Sequence, residues 1–232
     1  MTVFLLGDEP FFPDPALAEP DGLLAVGGDL SLERLVSAYC RGIFPWYGED
    51  TPILWWSPDP RPLLTPQGVH VSRSLRRCLN REPFTVTFDH AFERVLAGCA
   101  KTPRPQGEGT WLVSDMIEAY CHLHDLGLAH SVEAWCGGEL VGGLYGVSLG
   151  RAFFGESMFH LEPNASKACF VRLCRLLAAW DFDFIDCQQT TPHMTAFGAT
   201  EVPREEFMEK LGAALEGPTR RGSWSRQASL YC

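Results

Sequence analysis

The chain has 232 residues, 46% hydrophobic and 21% charged, with a formal net charge of −10. That describes an ordinary globular protein with enough chain for one large core or two modest ones, and its acidity argues against a non-specific nucleic-acid binder, which works through a basic surface. No apolar run approaches the roughly 18 to 20 residues of a membrane helix, and Met1-Thr2-Val3-Phe4-Leu5-Leu6 lacks a basic leader and is too short for a secretory segment, so a cytoplasmic location is expected.

Residues 1–22, rich in Pro, Asp and Glu around Phe11-Phe12-Pro13, read as an extended surface segment. Leu23-Leu24-Ala25-Val26 before Gly27-Gly28-Asp29 predicts a short buried strand and a tight turn. Ser31 then predicts an N-cap, with Leu32, Leu35, Val36 and Tyr39 on one helical face until Gly42. Aromatic residues alternate with prolines in Gly42-Ile43-Phe44-Pro45-Trp46-Tyr47 and again from 53 to 62. Proline removes a donor and restricts its predecessor, which excludes a regular helix there. Such loops either complete a core or offer flat faces to a ligand, where base stacking contributes about 1 to 3 kcal/mol per base; the residues alone leave both readings open.

The proline cluster at 58–66 reads as the boundary between a small N-terminal domain, residues 1–62, and a larger domain, residues 63–232. Arg61, Arg73, Arg76, Arg77 and Arg81 follow one another with no Asp or Glu between 61 and 81, either as a phosphate-binding patch or as a solvated basic face. A short helix over 72–80 carries most of them. The pattern then predicts a strand over 84–88, a helix over 91–100, a mobile loop over 101–109 that delivers Trp111, and a helix from Ser114, as cap, to 126. Its buried side carries Ile117, Tyr120 and Leu123 or His124. Strands over 131–135, 140–148 and 152–158 form a meander with glycine turns. A helix over 164–180, a strand over 182–188 and an amphipathic helix over 204–215 follow, and the tail beyond Gly217 is poorly defined. The fold class is α+β with a mixed sheet, and the meander with its helix and fifth strand resembles the acyltransferase fold related to N-acetyltransferases.

The stretch from 153 to 188 organises the chemistry. Two strands joined by one helix are expected to lie parallel through a right-handed crossover, with their carboxyl ends opening side by side where ligands sit. Glu156, Asp186 and Gln188 would then face one crevice. Glu156 is either a structural carboxylate or a group that binds an ammonium. Period-two alternation sends Asp186 and Gln188 to one face and Cys187 to the other, and an Asp aimed at a Gln amide fixes which way the amide points. Gln188 has no usable pKa, but its carbonyl can hold an amine in attacking geometry, and orientation lowers barriers by up to roughly 7 to 11 kcal/mol in ideal intramolecular cases.

Other chemistries are poorly supported. The nine cysteines include no C-x-x-C pair and read as small buried hydrophobes. His193 is either a base or a packing group. His122 and His124 lack metal-site spacing, and no H-E-x-x-H, phosphate-loop, dinucleotide or G-x-S-x-G pattern appears, so neither a metal nor a cofactor is expected.

Six pieces in order, Gly42-Ile43-Phe44-Pro45-Trp46, Trp55-Trp56-Ser57-Pro58-Asp59-Pro60-Arg61, Gly109-Thr110-Trp111, Gly155-Glu156-Ser157-Met158-Phe159, Asn164-Ala165-Ser166-Lys167 and Ile185-Asp186-Cys187-Gln188, resemble the leucyl/phenylalanyl-tRNA-protein transferases from about residue 20 to 212. The resemblance implies transfer of Leu or Phe, and also Met, from aminoacyl-tRNA to the N-terminal Arg or Lys of a protein, forming a peptide bond and a degradation signal in the bacterial cytoplasm. It implies a small N-terminal domain and an N-acetyltransferase-like C-terminal domain, with no metal or cofactor. It assigns Trp46 and Trp111 to the terminal adenosine with Tyr39 and Phe44 nearby, and Leu144, Phe153, Met158 and Ile185 to the apolar pocket for the transferred side chain. Ser157 and Thr190 join them as substrate contacts, Arg73, Arg76, Arg77 and Arg81 meet tRNA phosphates, and Asp186, Gln188 and Glu156 are catalytic. Leu144 departs from the Met familiar at that position, which alters the pocket without abolishing it.

Two rivals stand beside this reading. One is an acetyl-CoA-dependent N-acetyltransferase, for which the segment 159–164 lacks the glycines of a pyrophosphate turn. The other is a non-catalytic RNA-binding module, which the overall acidity supports poorly.

Overall fold

The computed structural model describes residues 3–101 and 112–228, so the loop read over 101–109, beyond Lys101, and the assignment of Trp111 lie outside the described residues. Two mixed sheets organise them. The first contains β1 (Phe4–Leu6), β2 (Leu23–Gly27), β3 (Phe44–Pro45) and β4 (Leu54–Trp56) in the order β1-β2-β4-β3. The N-terminal segment is thus not wholly irregular: β1 adds a parallel edge to β2, and Phe12 is buried edge-on against Trp55, 4.8 Å between centroids. Between β2 and β3 lies α1 (Leu32–Tyr39), capped by Ser31, whose hydroxyl accepts from the Arg34 amide.

The second sheet has the order β11-β5-β10-β9-β8-β7-β6. It comprises β5 (Arg61–Leu64), β6 (Thr85–Phe88), β7 (Ala129–Cys136), β8 (Glu139–Leu149), β9 (Ala152–His160), β10 (Phe184–Asp186) and β11 (Thr200–Val202). The proline cluster that suggested only a boundary contains the whole of β5, an inner strand with all four residues buried. Pro62 fits because its carbonyl takes the Cys187 amide, while the Cys187 carbonyl that an amide at 62 would have met accepts from Gln189 instead. The meander β7-β8-β9 is antiparallel, and β10 lies parallel to β9, as a connecting helix requires. That helix is α5 (Ala165–Ala179), which buries most of its length against the sheet.

The remaining helices are α2 (Arg73–Leu79), α3 (Phe92–Ala100), α4 (Ser114–Asp125), α6 (Pro192–Ala196), α7 (Arg204–Leu215) and α8 (Ser225–Ala228). Ser114 begins α4 inside its first turn, while Val113 takes the cap position without a side-chain bond. The tail beyond Gly217 is anchored. Trp224 is fully buried, stacks on the His130 ring at 3.7 Å and donates its amide to Asp89. Phe153, Trp180 and Phe182 surround it. A tail that looks polar in sequence is pinned by one aromatic residue. Trp224→Ala is expected to lower stability by about 3 to 5 kcal/mol, read as a lower urea midpoint, whereas a loss below about 1 kcal/mol would show that the anchor is dispensable.

Candidate active site

The site is built where β9 and β10 run side by side, with Ile185 opposite Phe153 and Asp186 opposite Phe154. Along β8 and β9 the pairing passes from Tyr145 with Ser157 to Gly146 with Gly155, so Glu156 is the extra residue of a β-bulge. Bulges re-aim side chains, and this one turns a carboxylate out of the ladder midway along β9, just past the end of its pairing with β10. Gly146 permits the close approach: a Cβ there would collide with the Phe154 carbonyl and the Phe153 ring.

Two hollows meet at Glu156. An inner cavity of about 180 Å³ is lined by Leu144, Phe153, Ser157, Met158 and Ile185, together with Phe170 and Leu173 of α5 and His193 and Met194 of α6. An outer cleft of about 190 Å³ is bordered by Phe44, Trp46, Gln188 and Gln189. Gly155, Glu156, Cys187 and Thr191 border both. The four residues assigned to the apolar pocket thus surround one space together with Ser157, and Trp46 and Phe44 line the neighbouring one. Trp46 is half-buried and leans on Trp56, whose indole donates to the Trp46 carbonyl. Trp55 is wholly interior, so the aromatic loops divide between core and cleft.

The polar network differs from the one strand alternation predicts. β10 ends at Asp186, and Gln188 adopts a left-handed backbone, φ 60°, so the two do not share a strand face. Asp186 is fully buried; Arg61 grips it with Nε at 2.8 Å and Nη2 at 2.7 Å, and the Gln188 amide donates to its Oδ1 at 2.8 Å. It therefore orients the backbone of Gln188, while the side-chain amide is oriented by Glu156, whose Oε1 accepts from Gln188 Nε2 at 2.7 Å. The Gln188 carbonyl oxygen takes no hydrogen bond among the described residues and stands at the outer cleft. Glu156 also accepts from Tyr39 at 2.7 Å and Tyr120 at 3.0 Å. Burial pushes its carboxyl up to about 7, against the lowering effect of these three donors. Burial, then the charge of Glu156, raises both phenols well above their usual range.

Other assigned residues fall in varied places. Tyr39 is buried behind Glu156 and borders neither hollow. Thr190 is exposed, bonds to Glu201 and borders neither hollow. Cys187, expected on the opposite face, borders both hollows, and its thiol is pushed far up, first by burial and then by Asp186. Arg61 leaves the basic run for the core, whereas Arg73, Arg76, Arg77 and Arg81 are exposed and pair with no carboxylate among the described residues. Sequence reasoning placed Tyr120 on a buried helix face without giving it a role; a buried phenol needs a partner, and that need was the available signal. Among the described residues no three His, Cys, Asp or Glu side chains converge as a metal would require.

Comparison with known proteins places this geometry. The family profile described as Leucyl/phenylalanyl-tRNA protein transferase matches residues 63–212, and the profile of its N-terminal domain matches residues 28–59. A leucyl/phenylalanyl-tRNA–protein transferase of Anaeromyxobacter sp. (strain Fw109-5) is 61% identical over 98% of this chain and 97% of its own length. One from Solidesulfovibrio magneticus is 58% identical over 100% and 94%. The chain belongs to the leucyl/phenylalanyl-tRNA–protein transferase family. Within this transferase chain, the 28–59 match contributes Phe44 and Trp46 to the cleft, and the 63–212 match contributes the cavity, Glu156 and Gln188. A solved structure, the L-PGS from Bacillus licheniformis, aligns over 87% of this chain and 66% of its own with 11% identity and a TM-score of 0.41, a likeness too slight to assign the fold.

Removing one partner of a buried ion pair strands the other charge and costs about 3 to 5 kcal/mol. Arg61→Ala and Asp186→Ala are each expected to lose that much in chemical denaturation, with the double variant losing less than the sum. Strict additivity would show that the two do not act as a pair.

Proposed function

We propose that this transferase moves Leu, Phe or Met from aminoacyl-tRNA to the N-terminal Arg or Lys of a protein, creating a degradation signal in the cytoplasm where charged tRNA is used. The observation that carries the reading is the pair of hollows sharing one polar wall: an apolar cavity sized for a side chain beside an aromatic cleft, with Glu156 at the junction and Gln188 bonded to it on the cleft side. The transferred side chain enters the cavity, the terminal adenosine lies against Trp46, and the ester carbonyl rests between them.

An aminoacyl ester is already activated, so the reaction needs orientation more than chemical power. Gln188 accepts a hydrogen bond from the acceptor amine and holds it against the ester carbonyl. Asp186 is a positioning residue: with Arg61 it fixes the turn from which Gln188 reaches the cleft. The carboxylate of Glu156 offers negative charge to an incoming ammonium. The meander β7-β8-β9, the helix α5 and the parallel strand β10 support an N-acetyltransferase-like C-terminal domain over 63–232, with a small N-terminal domain over 1–62. Exposure of four arginines on and just after α2, with no carboxylate partner among the described residues, supports contact with tRNA phosphates.

The direct test offers Leu-tRNA and an Arg-initiated peptide together and looks by mass spectrometry for the peptide extended by Leu; no extension would refute the reading. Replacing Arg73, Arg76, Arg77 and Arg81 by Ser is expected to weaken tRNA binding and to flatten the slope of log affinity against log salt by roughly 0.7 to 0.9 per lost phosphate contact. An unchanged slope would return them to a solvated face.

A further inference from the structure

We propose that Glu156, Tyr39 and Tyr120 form a seat for one proton, and that the acceptor's N-terminal ammonium delivers its proton there before the amine attacks. The proposal rests on the transfer reaction above and identifies its proton acceptor.

The Tyr39 and Tyr120 oxygens lie 2.5 Å apart, Tyr39 is 2.7 Å from Glu156 Oε1, and Tyr120 is 3.0 Å from Oε2. These are three close oxygen contacts, and the two phenols bring only two protons. With the carboxylate ionised, both phenols donate to it and their own oxygens face each other with nothing between. One added proton completes the ring: Oε2 donates to Tyr120, Tyr120 donates to Tyr39, and Tyr39 donates to Oε1. Gln188 Nε2 donates to Oε1 in both states, so loading the proton leaves the amine-holding amide where it was.

The neighbouring groups are poorer acceptors. Asp186 has both oxygens committed to Arg61 and the Gln188 amide, and a proton there would break a buried ion pair. Cys187 is held as the thiol by burial. His193 borders the inner cavity rather than the cleft, and burial, Lys167 and His160 oppose its charging. Tyr145 packs its ring edge against Tyr120 and adds no positive charge. Burial also lifts the Glu156 carboxyl to about 7, near the pH at which a general base works best.

The step balances. The ammonium gives one proton to the Glu156 carboxylate, leaving a neutral amine and a carboxylic acid. The nitrogen lone pair adds to the ester carbonyl, the C–N bond forms and the C–O bond to ribose breaks. The ribose oxygen leaves with a second proton from that nitrogen, and Glu156 releases its proton through the cleft that it borders.

Single-turnover transfer from Leu-tRNA to an Arg-initiated peptide between pH 6 and 9, corrected for spontaneous ester hydrolysis, tests this in the full chain. The wild-type rate is expected to rise through about pH 7 and level off. Glu156→Gln is expected to be slower by about a hundredfold or more at low pH, with the deficit narrowing as the acceptor amine reaches its own pKa of about 8. Tyr120→Phe opens the ring, which takes two hydrogen bonds from the loaded state and one from the ionised state, and is expected to move the rising limb downward by about one pH unit. An equal loss at every pH for Glu156→Gln, or a limb for Tyr120→Phe that stays in place or moves upward, would overturn the proposal. If Glu156→Gln does not fold, the limb of Tyr120→Phe decides. Wild-type chain that extends no peptide would refute the transfer reading itself, and with it the proton seat.

Discussion

Two opposite charges lie in the middle of this protein because each is too costly to bury alone. Arg61 and Asp186 meet through two parallel hydrogen bonds, and the guanidinium is faced by Phe44 at 4.9 Å and Phe207 at 4.7 Å. The pair therefore ties β5 to β10 while touching β3 from one sheet and α7 from the far end of the chain. A buried pair of this kind is weak evidence for net stability, and its value here is positional. The spare reach of Asp186 takes the Gln188 amide and holds the chain in a left-handed turn just past the strand. That turn sends the Gln188 side chain across to Glu156.

Glu156 is placed by a second constraint, the bulge in β9. An uninterrupted ladder would have sent it to the face opposite both of its neighbours, committed to pairing with β8. The extra residue frees it to collect Tyr39 from α1, Tyr120 from α4 and Gln188 from beyond β10. Three segments distant in sequence so converge on one carboxylate between an apolar cavity and an aromatic cleft. In the proposed reaction the apolar walls select by shape, and the same low polarity raises the carboxyl toward neutrality. Side-chain recognition and proton handling then become two effects of one environment.

Much of the framework was legible in the sequence. Glycine turns marked the meander, the helical period of 164–180 marked α5, and two strands joined by such a helix had to lie parallel. The assignment of Leu144, Phe153, Met158 and Ile185 to one pocket came from family resemblance, since apolar strand residues look alike whether they line a cavity or fill a core. What stayed hidden depended on departures from regularity. Alternation placed Gln188 beside Asp186, and a strand ending two residues early undid that. Arg61 looked like a member of a surface run because burial of a charge is decided by a partner 125 positions away. A strand made partly of proline read only as a domain boundary, and a tail with few apolar residues concealed Trp224, whose anchoring depends on rings from distant segments.

The central claim is that cavity, cleft and Gln188 form one aminoacyl site, and a crystal structure with leucyl-adenosine joined by an amide in place of the ester tests it most directly. The account predicts the leucyl side chain among Leu144, Phe153, Met158 and Ile185, the adenine against Trp46, and the carbonyl carbon facing the space in front of the Gln188 oxygen. A leucyl group left outside that cavity, or a carbonyl turned away from Gln188, would contradict it.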